Sequence, residues 1–235
     1  MNFKIQSIPR EGRCFLEISI YSYNIHSGRN IFFRKTLPNM IDYFMQNRPD
    51  ILALQEVHNN PKHGYQFQII RDSLAMFGAF GRNLKIGTGF YGNAIYSRFP
   101  FEMEQNIALP GEAEPRGVLQ CKLNINSHSL TLLNTHLGLS KKERNKQIDS
   151  LSSIVSSLSG LILLTGDLNT VASPVFPQLQ DIAKKLGKDD LATVFPLNRR
   201  IDYMYASANV QLVSYEVVKI PFSDHYPLKV VLRLS

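Results

Sequence analysis

Two short apolar runs constrain this chain more than any other feature: Ile51-Leu52-Ala53-Leu54 and Leu161-Ile162-Leu163-Leu164. Neither alternates between apolar and polar residues, so each reads as a strand buried on both faces. Each run is preceded by a segment with helical periodicity, and each stops close to an acid, Glu56 or Asp167. Gly166 offers a sharp turn before Asp167, and extended backbone through Leu168 would point Asp167 and Asn169 to the same side.

The surrounding segments repeat this plan. Phe15 to Tyr23 alternates as a strand and runs into Asn24, and a helix follows, with Thr36 as its cap, Pro38 in its first turn and Met40, Ile41 and Phe44 on one stripe. In the second half, Val118 to Ile125 and Ser129 to Thr135 form a hairpin around Asn126-Ser127, and its second arm ends at His136. Ser140-Lys-Lys-Glu143 reads as a capping box opening a helix through Leu158. Asn24, Glu56, His136 and Asp167 thus stand at strand carboxyl ends, the rim where layered α/β proteins usually bind ligands. Elsewhere the pattern predicts helices at Tyr65 to Phe77, with Phe77 inward, and at Pro177 to Leu186. It predicts strands at Ala94 to Ser97, Ile201 to Tyr205, Val210 to Val218 and Leu228 to Leu234. Gly78 to Gly92, with its five glycines, reads as a surface loop. No linker divides the halves, so residues 1–235 read as one domain with two sheets packed together.

A formal charge of +7 favours anionic partners such as phosphate esters, nucleic acid or acidic lipid headgroups. No run approaches the roughly 18 apolar residues of a membrane span, and Met1 to Ile20 lacks the apolar block of a signal peptide. The expected location is therefore the cytoplasm. Cys14 and Cys121 sit in strand-like contexts and read as buried free thiols.

Glu56, Asp167 and Asp224 are carboxylates beside apolar segments, and carboxylates that converge need a cation or a proton. Without thiolate ligands, a hard ion such as Mg²⁺ or Mn²⁺ suits them. His136 and His225 are candidate proton-transfer groups, and Asp202 could orient an imidazole or simply pair with Arg200. Asn24 and Asn169 can bind a phosphoryl oxygen without adding charge.

Seven blocks then resemble the endonuclease/exonuclease/phosphatase (DNase I-like) superfamily, in that family's order. They are Tyr23-Asn24, Leu54-Gln55-Glu56-Val57, Tyr91-Gly92-Asn93-Ala94, Asn134-Thr135-His136-Leu137, Gly166-Asp167-Leu168-Asn169, Arg200-Ile201-Asp202-Tyr203 and Ser223-Asp224-His225. The resemblance implies a four-layer α/β/β/α sandwich with two mixed β-sheets and metal-dependent hydrolysis of a phosphate ester. It implies Glu56 as the principal metal ligand, with Asn24 and Asp224 beside it, and Asp167 and Asn169 holding the water and a phosphoryl oxygen, or a second ion. It further implies His225, paired with Asp202, as base or electrostatic partner, and His136 as acid at the leaving oxygen. Arg116 resembles a phosphate-contacting arginine, its alternative being a surface-loop residue, and Asn93 stands where nucleases of the family carry an acid that supports the His136-type imidazole.

The chain is short for this family, and Asn134 to Ser140 followed by a basic helix resembles the small stand-alone bacterial members and the sphingomyelinase-like branch, so the reading is a phosphodiesterase. A nuclease, a phosphomonoesterase and a non-catalytic phosphate-ligand binder are the alternatives. Lys141, Lys142, Arg144 and Lys146 could track a nucleic-acid backbone or form a solvated helix face. Transient phospholipid contact is left open, as is the oligomeric state.

Overall fold

A computed structural model describes residues 16–126 and 128–234. The first half runs β1 (Leu16–Asn24), α1 (Leu37–Asn47), β2 (Ile51–Asn60), β3 (Gly64–Tyr65), α2 (Gln66–Leu74), β4 (Phe77–Ile86) and β5 (Gly89–Ser97). It continues through β6 (Phe101–Leu109), β7 (Arg116–Ile125), β8 (His128–His136), α3 (Lys141–Ser156) and β9 (Leu161–Asp167). The chain ends with β10 (Leu179–Asp181), α4 (Ile182–Lys185), β11 (Asp202–Ser207), β12 (Gln211–Val217) and β13 (Leu228–Leu234). The reading of Cys14 as a buried thiol lies outside the described residues; Cys121 is buried and free. No described helix is long and apolar enough to cross a membrane.

Two mixed sheets result. One has the order β12-β13-β1-β2-β5-β4, with β3 on β2, and the other β10-β11-β9-β8-β7-β6. The parallel pairs are β1/β2 and β8/β9, the two strand–helix–strand units expected from the apolar runs. Three apolar layers separate four structural ones. Tyr21, Phe44, Leu54 and Phe67 bury α1 and α2 on the first sheet; Leu133, Leu151, Val155 and Leu164 bury α3 on the second. Between the sheets lie Ile18, Ile20, Ile51 and Ile95 from one and Leu119, Cys121, Leu132 and Leu163 from the other. This is the α/β/β/α sandwich.

Polar bonds cross the middle layer where it approaches the rim. Asn134 on β8 is fully buried, and its Nδ2 donates to Leu54 O and Ala94 O of the opposite sheet, 2.9 Å each. Its Oδ1 accepts from Gln55 Nε2 at 2.7 Å. Asn93 joins the same seam, its Nδ2 donating to Gly117 O at 3.1 Å.

Several local expectations are corrected. Gly78 to Gly92 is not a loop but lies in the β4/β5 hairpin, where a Cβ on Gly92 would lie 1.8 Å from Gly81 O; these glycines permit strand approach. Gly166 likewise does not turn the chain. It lies within β9 at φ 143°, and a Cβ there would meet Thr135 O at 1.8 Å. The helix expected over Pro177 to Leu186 shrinks to α4, because Leu179 to Asp181 pair with β11 and Asp181 caps the short turn through Lys184 N–H. Phe77 is exposed and opens β4, since the chain leaves α2 through a left-handed Ala75. Neither helix cap forms as expected. Thr36 Oγ1 donates to Phe222 O, and Glu143 Oε1 accepts from Glu112 N (2.8 Å) and Ala113 N (3.0 Å) instead of closing a box with Ser140. Strand β6 was not anticipated; it is an edge strand whose polar residues hide its pattern.

Asn134→Ala would take the side-chain donor from two strand carbonyls in a dry seam and leave Gln55 Nε2 with Ser22 Oγ at 3.3 Å. Chemical denaturation of this variant is expected to show a loss of at least about 2 kcal/mol, since each unsatisfied buried group costs about 1–3 kcal/mol.

Candidate active site

The carboxyl ends of β1, β2, β8 and β9 meet on one rim, joined by the loops entering β11 and β13. Local backbone aims the side chains. The β2/β5 register shifts between Leu54 and Val57, and Glu56 in that bulge adopts φ 61°, an unusual conformation for glutamate. Asn169 also has positive φ, and its N–H donates to Asp167 Oδ1 at 2.9 Å. The extended geometry expected from Asp167 to Asn169 is therefore replaced by a tight turn, and Asn169 Nδ2 donates to Leu137 O at 2.8 Å.

Asp167 is the hub. Asn24 Nδ2 bridges it to Glu56, donating to Asp167 Oδ2 (3.1 Å) and Glu56 Oε1 (3.2 Å). Two imidazoles face the same oxygen: His136 Nε2 lies 3.4 Å and His225 Nε2 3.7 Å from Asp167 Oδ2. The other side of the His225 ring binds Asp202, with Nδ1 at 2.9 and 3.1 Å from the two carboxylate oxygens. Thr193 Oγ1 donates to Asp202 Oδ2 at 2.6 Å and accepts the Asp202 N–H. Arg200 turns away, binding Asp181 and stacking on Tyr203, so it is not the partner of Asp202. Asp224 Oδ1 lies 3.5 Å from His26 Nδ1, and Ser223 Oγ donates to Asn24 O at 2.8 Å.

Charge states follow from these neighbours. Burial alone would lower His225, but Asp202, Asp167 and Asp224 outweigh it and hold the ring as an imidazolium. His136 stands near Asp167 as an ion pair would, yet burial, Arg116 and the His225 charge keep it neutral. The Asp167 carboxyl is pushed up by burial and by Asp202, against the pull of His225 and its amide donors.

Arg116 is not a surface-loop residue. It opens β7, its side chain is buried, and it pairs with Glu114 at 3.2 Å while acting electrostatically on His136. Asn93 lies in the inter-sheet seam, and the acid facing His136 is Asp167. Arg144 donates to Gly138 O (3.2 Å) and Leu139 O (2.8 Å), tethering the loop after His136.

The sequence reading missed Gln55, Thr193, His26 and His58, which act on the site through other residues. Only Gln55, beside Glu56, carried a positional signal. His58 ties β2, two residues past Glu56, to the loop after Asn24: Nδ1 accepts from Asn60 Nδ2 at 3.0 Å, and Nε2–H donates to Ser27 Oγ at 3.1 Å. Asn60 is oriented by its Oδ1, which accepts His63 N–H at 2.9 Å. A second ring proton would point at the Asn60 amide. Burial, then His63 and Arg29, hold His58 down at about 4.

The unfolded chain binds a proton near pH 6.5 that the folded His58 refuses until about pH 4. Its stability contribution is therefore complete above pH 6.5 and declines as pH falls through that window. Denaturant unfolding at pH 6.5, 5.5 and 4.5 is expected to show a flatter pH slope in His58→Gln than in wild type, by about one proton.

The fold has known relatives. A family model described as "Endonuclease/Exonuclease/phosphatase family" matches residues 21–225. The Escherichia coli (strain K12) protein YbhP is 29% identical over 246 residues, covering 92% of this chain and 96% of YbhP. The endonuclease/exonuclease/phosphatase from Beutenbergia cavernae superposes with a TM-score of 0.77 at 20% identity, covering 93% of this chain and 72% of its own. D. rerio TDP2 complexed with single-strand DNA product also reaches 0.77, at 18% identity and over 92% and 98% of the two chains. On the family match, which covers every rim residue described above, the chain belongs to the endonuclease/exonuclease/phosphatase family.

Proposed function

We propose that this protein is a metal-dependent phosphodiesterase. The observation that carries the reading is Asp167, a buried carboxylate set between two imidazoles and bridged by Asn24 to Glu56. Such a centre pairs a group that can take a proton from water with a fixed cation at the phosphoryl oxygens.

Crowded carboxylates fit a hard dication. Asp167, Asp202 and His225 offer ligand atoms within 4.8 Å of one another. Asp202 is already engaged by His225 and Thr193, so Glu56 and Asp224 are the better holders of Mg²⁺ or Mn²⁺, with Asn24 through the second lone pair of Oδ1, the first taking His26 N–H at 3.0 Å. The ion would stabilise charge on the phosphoryl group.

The chain's own groups divide the remaining work. Asp167, made more basic by burial, accepts the proton of the attacking water, and Asn169 shapes the turn that holds it. His225 carries positive charge to the phosphoryl group and can release its proton to the leaving oxygen, with Asp202 fixing the ring. This shifts the acid from His136, the residue the resemblance implied, to His225. His136, held neutral, is assigned a contact from its ring N–H to a phosphoryl oxygen. Arg116, buried nearby, adds positive potential, and Asn93 supports the seam below.

The test is hydrolysis of bis(4-nitrophenyl) phosphate. Activity is expected to vanish with chelator and return with Mg²⁺ or Mn²⁺. Asp167→Asn and His225→Gln are expected to lower kcat by about 10²–10⁴-fold. Full activity in excess chelator would refute the reading. Efficient plasmid nicking with negligible diester turnover would replace it with a nuclease, and turnover of 4-nitrophenyl phosphate alone with a phosphomonoesterase.

A further inference from the structure

The rim that carries the candidate centre is also where the chain exposes much of its apolar surface. Phe32 and Phe33 are 72% and 67% exposed on the loop after Asn24, and Leu139 is 78% exposed after His136. Leu197 is 62% exposed on the loop that pairs with His225 through Val194. All these loops leave or enter strands at the same end of the two sheets. Scattered exposed apolar residues need no explanation, but large ones on three loops around one site do.

A cavity of about 370 Å³ opens among them, walled by Ile31, Phe32, Phe195, Ile220, Pro221 and Tyr226. It adjoins the candidate centre. Ser223 lines it and bonds Asn24 O, and Phe195 N–H donates to Asp224 O at 2.7 Å. Lys219 stands at its wall, its Nζ 4.1 Å from the Tyr226 ring centroid.

Charge beside these apolar residues is mainly positive. Residues 25–36, 137–140, 193–199 and 218–223 contain no Asp or Glu, yet they carry Arg29, Arg34, Lys35, Arg199 and Lys219, while Asp224, next to the last segment, belongs to the candidate centre. Carboxylates return in the 110–115 loop, at the β7 edge of the rim. Apolar tips ringed by cations, around a site for phosphate esters, match the layering of an anionic bilayer: acyl region, then headgroup.

We propose that this rim docks on the surface of a bilayer containing anionic phospholipid, with the apolar cavity receiving the part of a lipid next to its phosphodiester. The substrate assignment rests on the phosphodiesterase reading; the docking surface does not.

Binding without turnover separates the two. Sedimentation with vesicles of phosphatidylglycerol and phosphatidylcholine, in chelator, is expected to pellet the wild type, and pure phosphatidylcholine vesicles to bind at least about fivefold more weakly. Phe32→Ser/Leu197→Ser, both exposed and so compatible with folding, is expected to lower the partition constant about tenfold. Phe77→Ser, which removes an exposed phenylalanine from the opposite end of the first sheet, is expected to change it less than about twofold.

The proposal is overturned if wild type does not bind the anionic vesicles. It is equally overturned if the double variant binds like wild type, since adsorption would then be through net charge alone. Hydrolysis of monomeric short-chain phosphatidylglycerol without vesicle binding would also overturn it, in favour of a soluble amphiphile. Vesicle binding as expected, with no diester hydrolysed under any metal, would leave the surface standing and remove the phosphodiesterase reading. Diester hydrolysis without vesicle binding would do the reverse.

Discussion

The amide of Asn134 is the contact on which the arrangement of the rim depends. Two sheets held only by Ile, Leu and Val could slide, because apolar contact is not directional. Asn134 removes that freedom by binding Leu54 O, Ala94 O and Gln55 Nε2 across the layer. The bonds lie one or two residues before Glu56 on β2 and before His136 on β8. A directional lock at that point fixes the distance between the halves where the two contribute different groups to one cleft. Buried amides perform this task better than charges would, since each can donate and accept without the desolvation cost of an ion.

Above the lock, the electrostatics become coupled. Asp167 comes from one sheet, and Asn24, which donates to it, from the other. His225 arrives on the loop before β13 and Asp202 at the start of β11, again from different sheets. The group therefore exists only when both sheets are closed on each other. Within it the imidazolium of His225 offsets carboxylates that would otherwise repel, while His136, beside the buried Arg116, has no such surplus of negative charge and stays neutral. Two histidines that look alike as residues beside polar neighbours are thereby separated in protonation by their surroundings.

The elements most legible in the sequence were those specified by their own periodicity. The parallel strands β2 and β9 read from their apolar runs, β1 from its alternation and β8 as a hairpin arm, and α1 and α3 from their stripes. Elements specified by partners were not legible. The glycines of β4 and β5 resemble a loop until Gly81 and Gly92 are seen to face each other, and β10 resembles helix until β11 pairs with it. The capping box failed for the same reason. Glu143 has an ordinary local bond available, but the 110–115 loop, distant in sequence, presents two backbone N–H groups that take it.

At the site, residue types and their order along the chain were readable, because a strand that ends in a polar residue carries that information locally. Sequence alone thus determined the layered fold class and the set of side chains at the strand ends. Only the tertiary structure decided that Asp167 faces both imidazoles, that Arg116 is buried beside His136, that Arg200 leaves Asp202 for Asp181, and that Asn93 lies in the seam. The physical reason is that distances and proton affinities depend on which groups from separate strands share a dry volume. That is set by how the two sheets close, not by any segment alone.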